Sequence, residues 1–377
     1  MISIWEKQSF LRSDIVIVGG GILGLSTACS IKEQQPERTV LVLEKGILPS
    51  GASTKNAGFA CFGSLTELVS DMKSFGQSLM LQLVEKRWRG LALLDQRLGE
   101  EAMDFQHYGG FELLTENELE VYQYIDIINQ LLFPLFQMEV YHSVPSKITE
   151  FGFNKEMIKD IIFNPFEGQI DTGKMMKSLI RKSSSLGVEM LTGTEVTALH
   201  SHEASVDIEV KQEKDNIRFT ARTAAVCTNA FLPKLFPSMN VIPGRGQVLI
   251  TKPIPNLKLK GTFHYDEGFY YFRNYNNRVL FGGGRNLDKE AEATTDFSPN
   301  KKIIDDLKHK LSEIILPNTS HEIDYTWQGI MGFGPTKFPM IESPQPNVYA
   351  ALGCNGMGVA LSSLLGDELA EKIVLSF

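Results

Sequence analysis

Residues 14–30 read DIVIVGGGILGLSTACS, and the interpretation of this stretch decides the fold. Ile15 to Val18 is a short, wholly apolar run, as expected of a parallel strand buried on both faces. Gly19, Gly21 and Gly24 follow on the G-x-G-x-x-G spacing. The first makes the tight turn, the second has no Cβ where a pyrophosphate nears the backbone, and the third lets the helix pack against the strand. The helix that follows, with Ile22, Leu23, Leu25, Ala28 and Ile31, aims its free N–H groups and positive end at the phosphates. Thr39 to Leu43 (TVLVL) supplies a second strand ending at Glu44, about 20 residues past the last glycine, where a carboxylate bonds ribose hydroxyls. A glycine-rich turn without a ligand is the competing interpretation. The strand before it, the helix after it and the placed acid argue instead for a dinucleotide site.

The bulk properties narrow the class. At 377 residues the chain has room for two domains and a large core. Lys plus Arg number 37 against 45 acids, a net charge of −8. That balance speaks against a nucleic-acid surface. No apolar run reaches the length of a membrane span, and MISIWEKQSFLRSD has no long hydrophobic region of the secretory kind. Cys29, Cys61, Cys227 and Cys354 are scattered without a C-x-x-C pair, so reduced, structural thiols and a cytoplasmic protein are expected. The seven histidines show no metal-ligand spacing, and a surface or core role is expected for each.

The order of elements departs from a nicotinamide dehydrogenase. After Glu44 the chain enters PSGASTKNAGFACFGS (49–64), rich in small and hydroxyl residues. A long helix is expected over Leu65–Gly99, a strand at Gly109–Leu114 and a helix at Glu116–Leu132. Asp171 caps a further helix, which precedes a strand pair around Val188–Leu191 and Val206–Val210 and a short strand at Thr223–Cys227. From Val241 strands dominate: GQVLIT (246–251), GFYYFRN (268–274) and RVLFGGG (278–284), the last two joined by a turn at Asn276-Asn277. A helix near Asn300–Ile314 follows. The end, VYAALGCNGMGVALSSLLGDELAEKI (348–373), is strand, glycine turn and helix. This gives an α/β class, a Rossmann-like nucleotide-binding domain with an antiparallel-sheet domain interleaved. The expected boundaries are 1–85, 167–240 and 325–377 for the first, and 86–166 and 241–324 for the second.

The last segment is a second anion-friendly helix start. Gly353, Gly356 and Gly358 free the backbone, and no acid appears before Asp367, so the positive end is unneutralised. Facing a flavin, such an end stabilises negative charge. A glycine turn kept for packing is the alternative.

These motifs resemble the FAD-dependent oxidoreductases of the D-amino acid oxidase, glycine oxidase and sarcosine oxidase family, over nearly the full length. VGGGILGLSTA with Glu44 and Lys45 is similar to the family's FAD fingerprint. GASTKNAGF (51–59) resembles its second flavin loop, which implies Ser53, Thr54, Lys55, Asn56, Ala57 and Gly58 at the cofactor. GQIDTGKMM (168–176) resembles its mid-chain helix entry. CTNAFLPKLFP (227–237), with Thr228 and Asn229, resembles its strand-to-loop segment, and GCNGMGVALSSLLGDELAE its flavin-facing helix. The resemblance adds Val196, Gly329, Gly353, Asn355, Gly356, Met357, Gly358 and Val359 to the cofactor set. NNRVLFGGG (276–284) and G-x-x-G-x-GVAL (353–361) look most like the γ-glutamylputrescine oxidase branch, which handles amines.

Departures from the family carry information too. Relatives that act on glycine or D-amino acids hold the carboxylate with an arginine shortly after Trp-x-Gly. Here WQGIMGFGPTKFP (327–339) puts Met331 there, and a thioether does not replace a guanidinium fork. Simple α-amino acids are therefore disfavoured unless Arg273, Arg285 or Lys337 substitutes. The oxygen-activating lysine of sarcosine oxidases falls at Leu280 in a gapless alignment. Gly329 and Lys55 stand at or near the positions of covalent flavin attachment, so non-covalent FAD is expected.

Flavin amine oxidation asks the protein chiefly to position a C–H bond, exclude water and keep the amine neutral. Alternation along GFYYFRN puts Phe269, Tyr271 and Arg273 on one face and Tyr270 and Phe272 on the other. Tyr271 and Arg273 are the expected substrate contacts, with half-buried core as the alternative. Lys55 is a candidate for tuning the flavin, or else a surface lysine. Trp327 is expected in the core, and KEAEATTD (289–296) as a solvated loop with no chemistry assigned. The expected activity is oxidation of a primary or secondary amine, with O2 or another electron acceptor. Oxidation of glycine, sarcosine or a D-amino acid and flavin binding without turnover are the alternatives.

Overall fold

The computed structural model describes residues 3–211 and 217–377; the first two residues of the N-terminal segment lie outside the described residues. Its first sheet is built on the opening stretch. Strand Arg12–Val18 lies at the centre, parallel to Val40–Leu43 on one side and Ile217–Val226 on the other. Glu189–Leu191 and Val348–Leu352 extend it in parallel, and Met340–Gln345 closes one edge antiparallel. The pleat sorts the apolar run by parity. Ile15 and Ile17 pack with Leu25, Ile31, Leu365 and Leu369 of the helix layer, while Val16 and Val18 pack with Ile208 and Phe219 on the far face. Burial on both faces is why the stretch is apolar throughout.

The second sheet runs in the order Ile323–Phe333, Ile242–Thr251, Arg278–Gly283, Tyr270–Tyr275, Thr262–Tyr265, Gly110–Leu114, Asp160–Asn164 and His142–Ser143. All neighbours are antiparallel except Thr262–Tyr265 with Gly110–Leu114. The expected hairpin is present, and Asn276 and Asn277 both hold positive φ, +47° and +59°, as its two-residue turn demands. Phe263, Phe272 and Phe281 bury the outer face against Ile303 and Leu307 of helix Lys301–Lys310.

Several expectations change. The stretch 65–99 is two helices, Leu65–Phe75 and Gln77–Leu98, because Gly76 between them takes φ +90°. Residues 116–132 form a 3₁₀ run, Glu116–Tyr124, that passes into helix Ile125–Phe136. The strands near 188 and 206 do not pair: Glu189–Leu191 joins Val40–Leu43, and Val206–Val210 pairs with Val196–Ser201. Strand Ile323–Phe333 belongs to the second sheet, past residue 324. Helix Gln77–Leu98 packs on the nucleotide side, so closely that a Cβ on Gly90 would lie 1.9 Å from the Ala360 carbonyl oxygen. Asp171 caps Thr172–Ser185 as expected, accepting from the Lys174 N–H at 2.9 Å.

Candidate active site

A cavity of about 1250 Å³ runs from the glycine turn, between the two sheets, to the inner face of the second. That is larger than the roughly 300–1,000 Å³ of a usual small-molecule pocket. At the nucleotide end Gly19, Gly21, Ile22, Leu23, Glu44 and Lys45 line it. Gly24 does not; it serves packing, since a Cβ there would stand 2.0 Å from the Gly19 carbonyl oxygen. The Glu44 carboxylate accepts from the N–H groups of Gly20 (2.8 Å) and Gly46 (2.9 Å), which fixes it facing the cavity with lone pairs to spare.

The 49–58 loop docks onto this helix start. The Ile22 N–H donates to Ser53 Oγ at 3.0 Å. Asn56 is a strut: it donates to the carbonyls of Ala52 and Ser53 and accepts from the Gly58 N–H and Thr172 Oγ1. Lys55, Ala57 and Gly58 line the cavity with Ser53 and Asn56. Thr54 does not; it is exposed and its hydroxyl donates to the Pro49 carbonyl.

The far end is the second helix start. Asn355, Gly356, Met357, Gly358 and Val359 line the cavity with Val196, Thr228, Asn229, Gly329 and Met331. Gly353 sits behind, in the turn that Asn355 ties to the Gly334 N–H and the Thr336 carbonyl. Neither helix Ile22–Gln34 nor Gly358–Val374 has an acid in its first turn or a capping bond from its own N-cap side chain. Two positive helix ends thus face one cavity. Thr228 Oγ1, on a lining residue, is buried with no partner. Spare donors and an unanswered hydroxyl fit a long polyanionic cofactor.

The opposite wall of the cavity comes from the second sheet. A Cβ placed on Gly246 would lie 3.3 Å from Met331 Cε and 3.7 Å from the Tyr271 hydroxyl, so these two side chains flank the bare strand. Phe59 packs edge-on to Tyr271, with centroids 5.9 Å apart. Burial pushes the Tyr271 phenol up to about 12. Tyr270 and Phe272 point into the core as the alternation requires.

Arg273 does not line this cavity. Its guanidinium donates to the carbonyls of Gly58 (2.8 Å) and Ile170 (2.7 Å), so it pins the 49–58 loop from behind. Burial lowers its pKa to about 10. Lys337 lines the cavity but is ion-paired with Asp71 and lies 3.8 Å from Glu67, which also pairs with Arg87 at 3.1 Å. Arg285 differs from both: it lines the cavity, stacks 4.3 Å over the Phe333 ring, and has no carboxylate within ion-pair reach among the described residues. Leu280 packs with Val248 and Ile250 and does not itself line the cavity. Trp327 joins that cluster and donates to the Lys55 carbonyl at 3.0 Å.

Two groupings escaped the sequence. The 289–296 loop is not simply solvated: Glu292, fully buried, receives both arms of Arg245 (2.9 and 2.7 Å), with Gln247 and Asn300 added. Cys61, Glu167 and His264 cluster under the cavity floor. Burial pushes the Cys61 thiol up. Burial also opposes charge on His264, but hydrogen bonding to Cys61 and Glu167 overrules it and raises its pKa well above the ordinary value. Arg245 and Gln247 share strand Ile242–Thr251, but the partners they meet, and the members of the second grouping, come from elsewhere in the chain, and no local spacing announces them.

Together these features describe a two-domain, dinucleotide-binding oxidoreductase fold. The FAD dependent oxidoreductase (DAO) model matches residues 14–372, and the chain belongs to that family. It is 22% identical over 380 residues to the probable oxidoreductase OrdL of Haemophilus influenzae, covering 96% of this chain and 83% of the relative. It is 23% identical to the gamma-glutamylputrescine oxidoreductase of Escherichia coli, covering 96% and 84%. Among solved structures, glycine oxidase from Geobacillus kaustophilus superposes with a TM-score of 0.76 at 20% identity (96% and 95% covered). L-proline dehydrogenase from P. horikoshii gives 0.77 at 19% (97% and 94%). The chain is an FAD-dependent oxidoreductase acting on amine or amino acid substrates. Among the described residues no helix is long and apolar enough to cross a membrane.

Proposed function

We propose that this enzyme oxidises the C–N bond of a primary or secondary amine whose reacting carbon bears no carboxylate. The observation that carries this is Met331 beside Tyr271 at the substrate wall, where the resemblance leads one to expect a carboxylate-binding arginine. Bound FAD, held non-covalently, supplies the two-electron acceptor, with O2 or another oxidant downstream. The chain does the rest. Phe59, Tyr271 and Met331 exclude water and disfavour the ammonium form, so the amine enters neutral. The same wall holds the reacting carbon still, and the imine product is left for water to hydrolyse.

Arg285 supports a second reading. It is the one cation of the three candidates free to receive a carboxylate, so an amine whose reacting carbon bears the carboxylate, such as glycine, sarcosine or a D-amino acid, is the alternative substrate. Anaerobic mixing of holoprotein with γ-glutamylputrescine, putrescine, sarcosine, glycine and D-alanine, following the visible flavin band, separates the two. Bleaching by the first two alone supports the proposal. Bleaching by the α-amino acids moves the assignment to Arg285, and bleaching by none favours flavin binding without turnover.

A further inference from the structure

We infer that Cys61, Glu167 and His264 form a three-ligand site for a thiophilic divalent cation of the zinc class, in the floor of the cavity. Their ligand atoms lie within 4.8 Å of one another, and all three residues are buried. The backbone brings them together. Ala60 pairs with Gly168 in a two-stranded antiparallel ladder, which sets Cys61 opposite Glu167 one step on. His264 arrives from strand Thr262–Tyr265 of the second sheet. The sequence separations are 106 and 97 residues, which is why no ligand spacing was visible.

Three observations point to a ligand. His264 Nε2 is buried and makes no well-aligned hydrogen bond, its near neighbour being a carboxylate at ion-pair distance. It lies 3.4 Å from Glu167 Oε2. That is long for a hydrogen bond but matches the N–O edge of a tetrahedral zinc site, about 3.4 Å for metal–ligand bonds of about 2.0–2.1 Å. Finally, Glu167 is already oriented: its other oxygen accepts from the N–H groups of Phe62 and Gly63, both at 3.3 Å, and leaves Oε2 turned to the histidine. Outer hydrogen bonds of this kind commonly fix a ligating carboxylate. Cys61 and His264 both line the cavity while Glu167 does not, so a fourth coordination position opens toward the substrate space. A soft thiolate with imidazole and one carboxylate selects zinc or cadmium over magnesium or calcium. The inference concerns binding and stands apart from the choice of substrate.

The test uses FAD-loaded protein without substrate. Equilibrium dialysis against Zn2+ should show one saturable equivalent, and Cd2+ should produce a thiolate-to-metal charge-transfer band in the difference spectrum. Cys61→Ser should abolish the band, and His264→Gln should weaken binding by more than about 100-fold, since even outer-shell partners cost 10- to 100-fold. Cys354→Ser, a second thiol in the lining, should leave both signals intact. An unchanged flavin visible spectrum in each variant reports that the fold survives. Absence of a saturable equivalent in the parent protein overturns the inference, as does a band that persists in Cys61→Ser or disappears in Cys354→Ser.

Discussion

The two ends of the cavity are built on different principles. At the nucleotide end, recognition rests on backbone: glycines, two acid-free helix starts and a carboxylate fixed by N–H groups. Such a surface requires particular residues at particular spacings, so it is written locally. At the substrate end, recognition rests on side chains delivered by strands far apart in sequence. Two nearby arginines make the point. Arg273 lies on the cavity-side face of its strand yet is consumed by two carbonyls. Arg285, just past the next strand, stays free over Phe333. Residue type was identical, and only the neighbours decided the role.

The nucleotide end should break most sharply. Gly24→Val drives a side chain into the Gly19 carbonyl and should cost about 4 kcal/mol or more, with loss of bound FAD. Flavin content and the thermal transition measure both, and a yellow, stable variant would refute the packing role.

Glu292→Gln should come next, at about 3 kcal/mol in denaturant unfolding, because it leaves the buried Arg245 guanidinium with only the exposed Asp296, 4.0 Å away, as a charge partner. Burial pushes the Glu292 carboxyl up, but the bonds from Arg245, Gln247 and Asn300 hold it below the ordinary 4.5. A depressed carboxyl contributes stability above its unfolded pKa and loses it as pH falls through the folded one. Parent stability should therefore decline below about pH 4.5, and the variant should show a shallower decline there.

The arginine pair offers a sharper contrast. Arg273→Met should destabilise by about 2 kcal/mol by orphaning the buried Ile170 carbonyl and removing one of the two donors on the Gly58 carbonyl, and should loosen FAD through Gly58. Arg285→Met should leave stability within about 0.5 kcal/mol. It should raise KM about tenfold or more, equivalent to about 1.4 kcal/mol, for acid-bearing amines alone. If the two variants behave alike, the contrast between a clamped and a free guanidinium is wrong. The smallest effect is expected of Tyr271→Phe. Its hydroxyl has no hydrogen-bond partner in the protein among the described residues, so kcat/KM should fall only a few-fold, under about 1 kcal/mol, with FAD retained.

Legibility followed the range of the interactions. The strand–turn–helix unit, the Asn-Asn hairpin and the Asp171 cap were readable because each is satisfied within a few residues. The break at Gly76 was missed because the apolar periodicity runs through it, and the pairing of Glu189–Leu191 with Val40–Leu43 because strand partners are chosen across the sheet. Glu292 lay in a run of acids that reads as solvated; its partner Arg245 is 47 residues away.

The sequence by itself determined the parallel sheet, the dinucleotide cradle and the family, since glycine spacing and apolar runs act on their own immediate backbone. Tertiary structure alone decided which arginine is free, which loop is pinned and which thiol meets a histidine. Those outcomes depend on a second side chain arriving from elsewhere in the chain, and a buried polar group takes its role from whichever partner satisfies it.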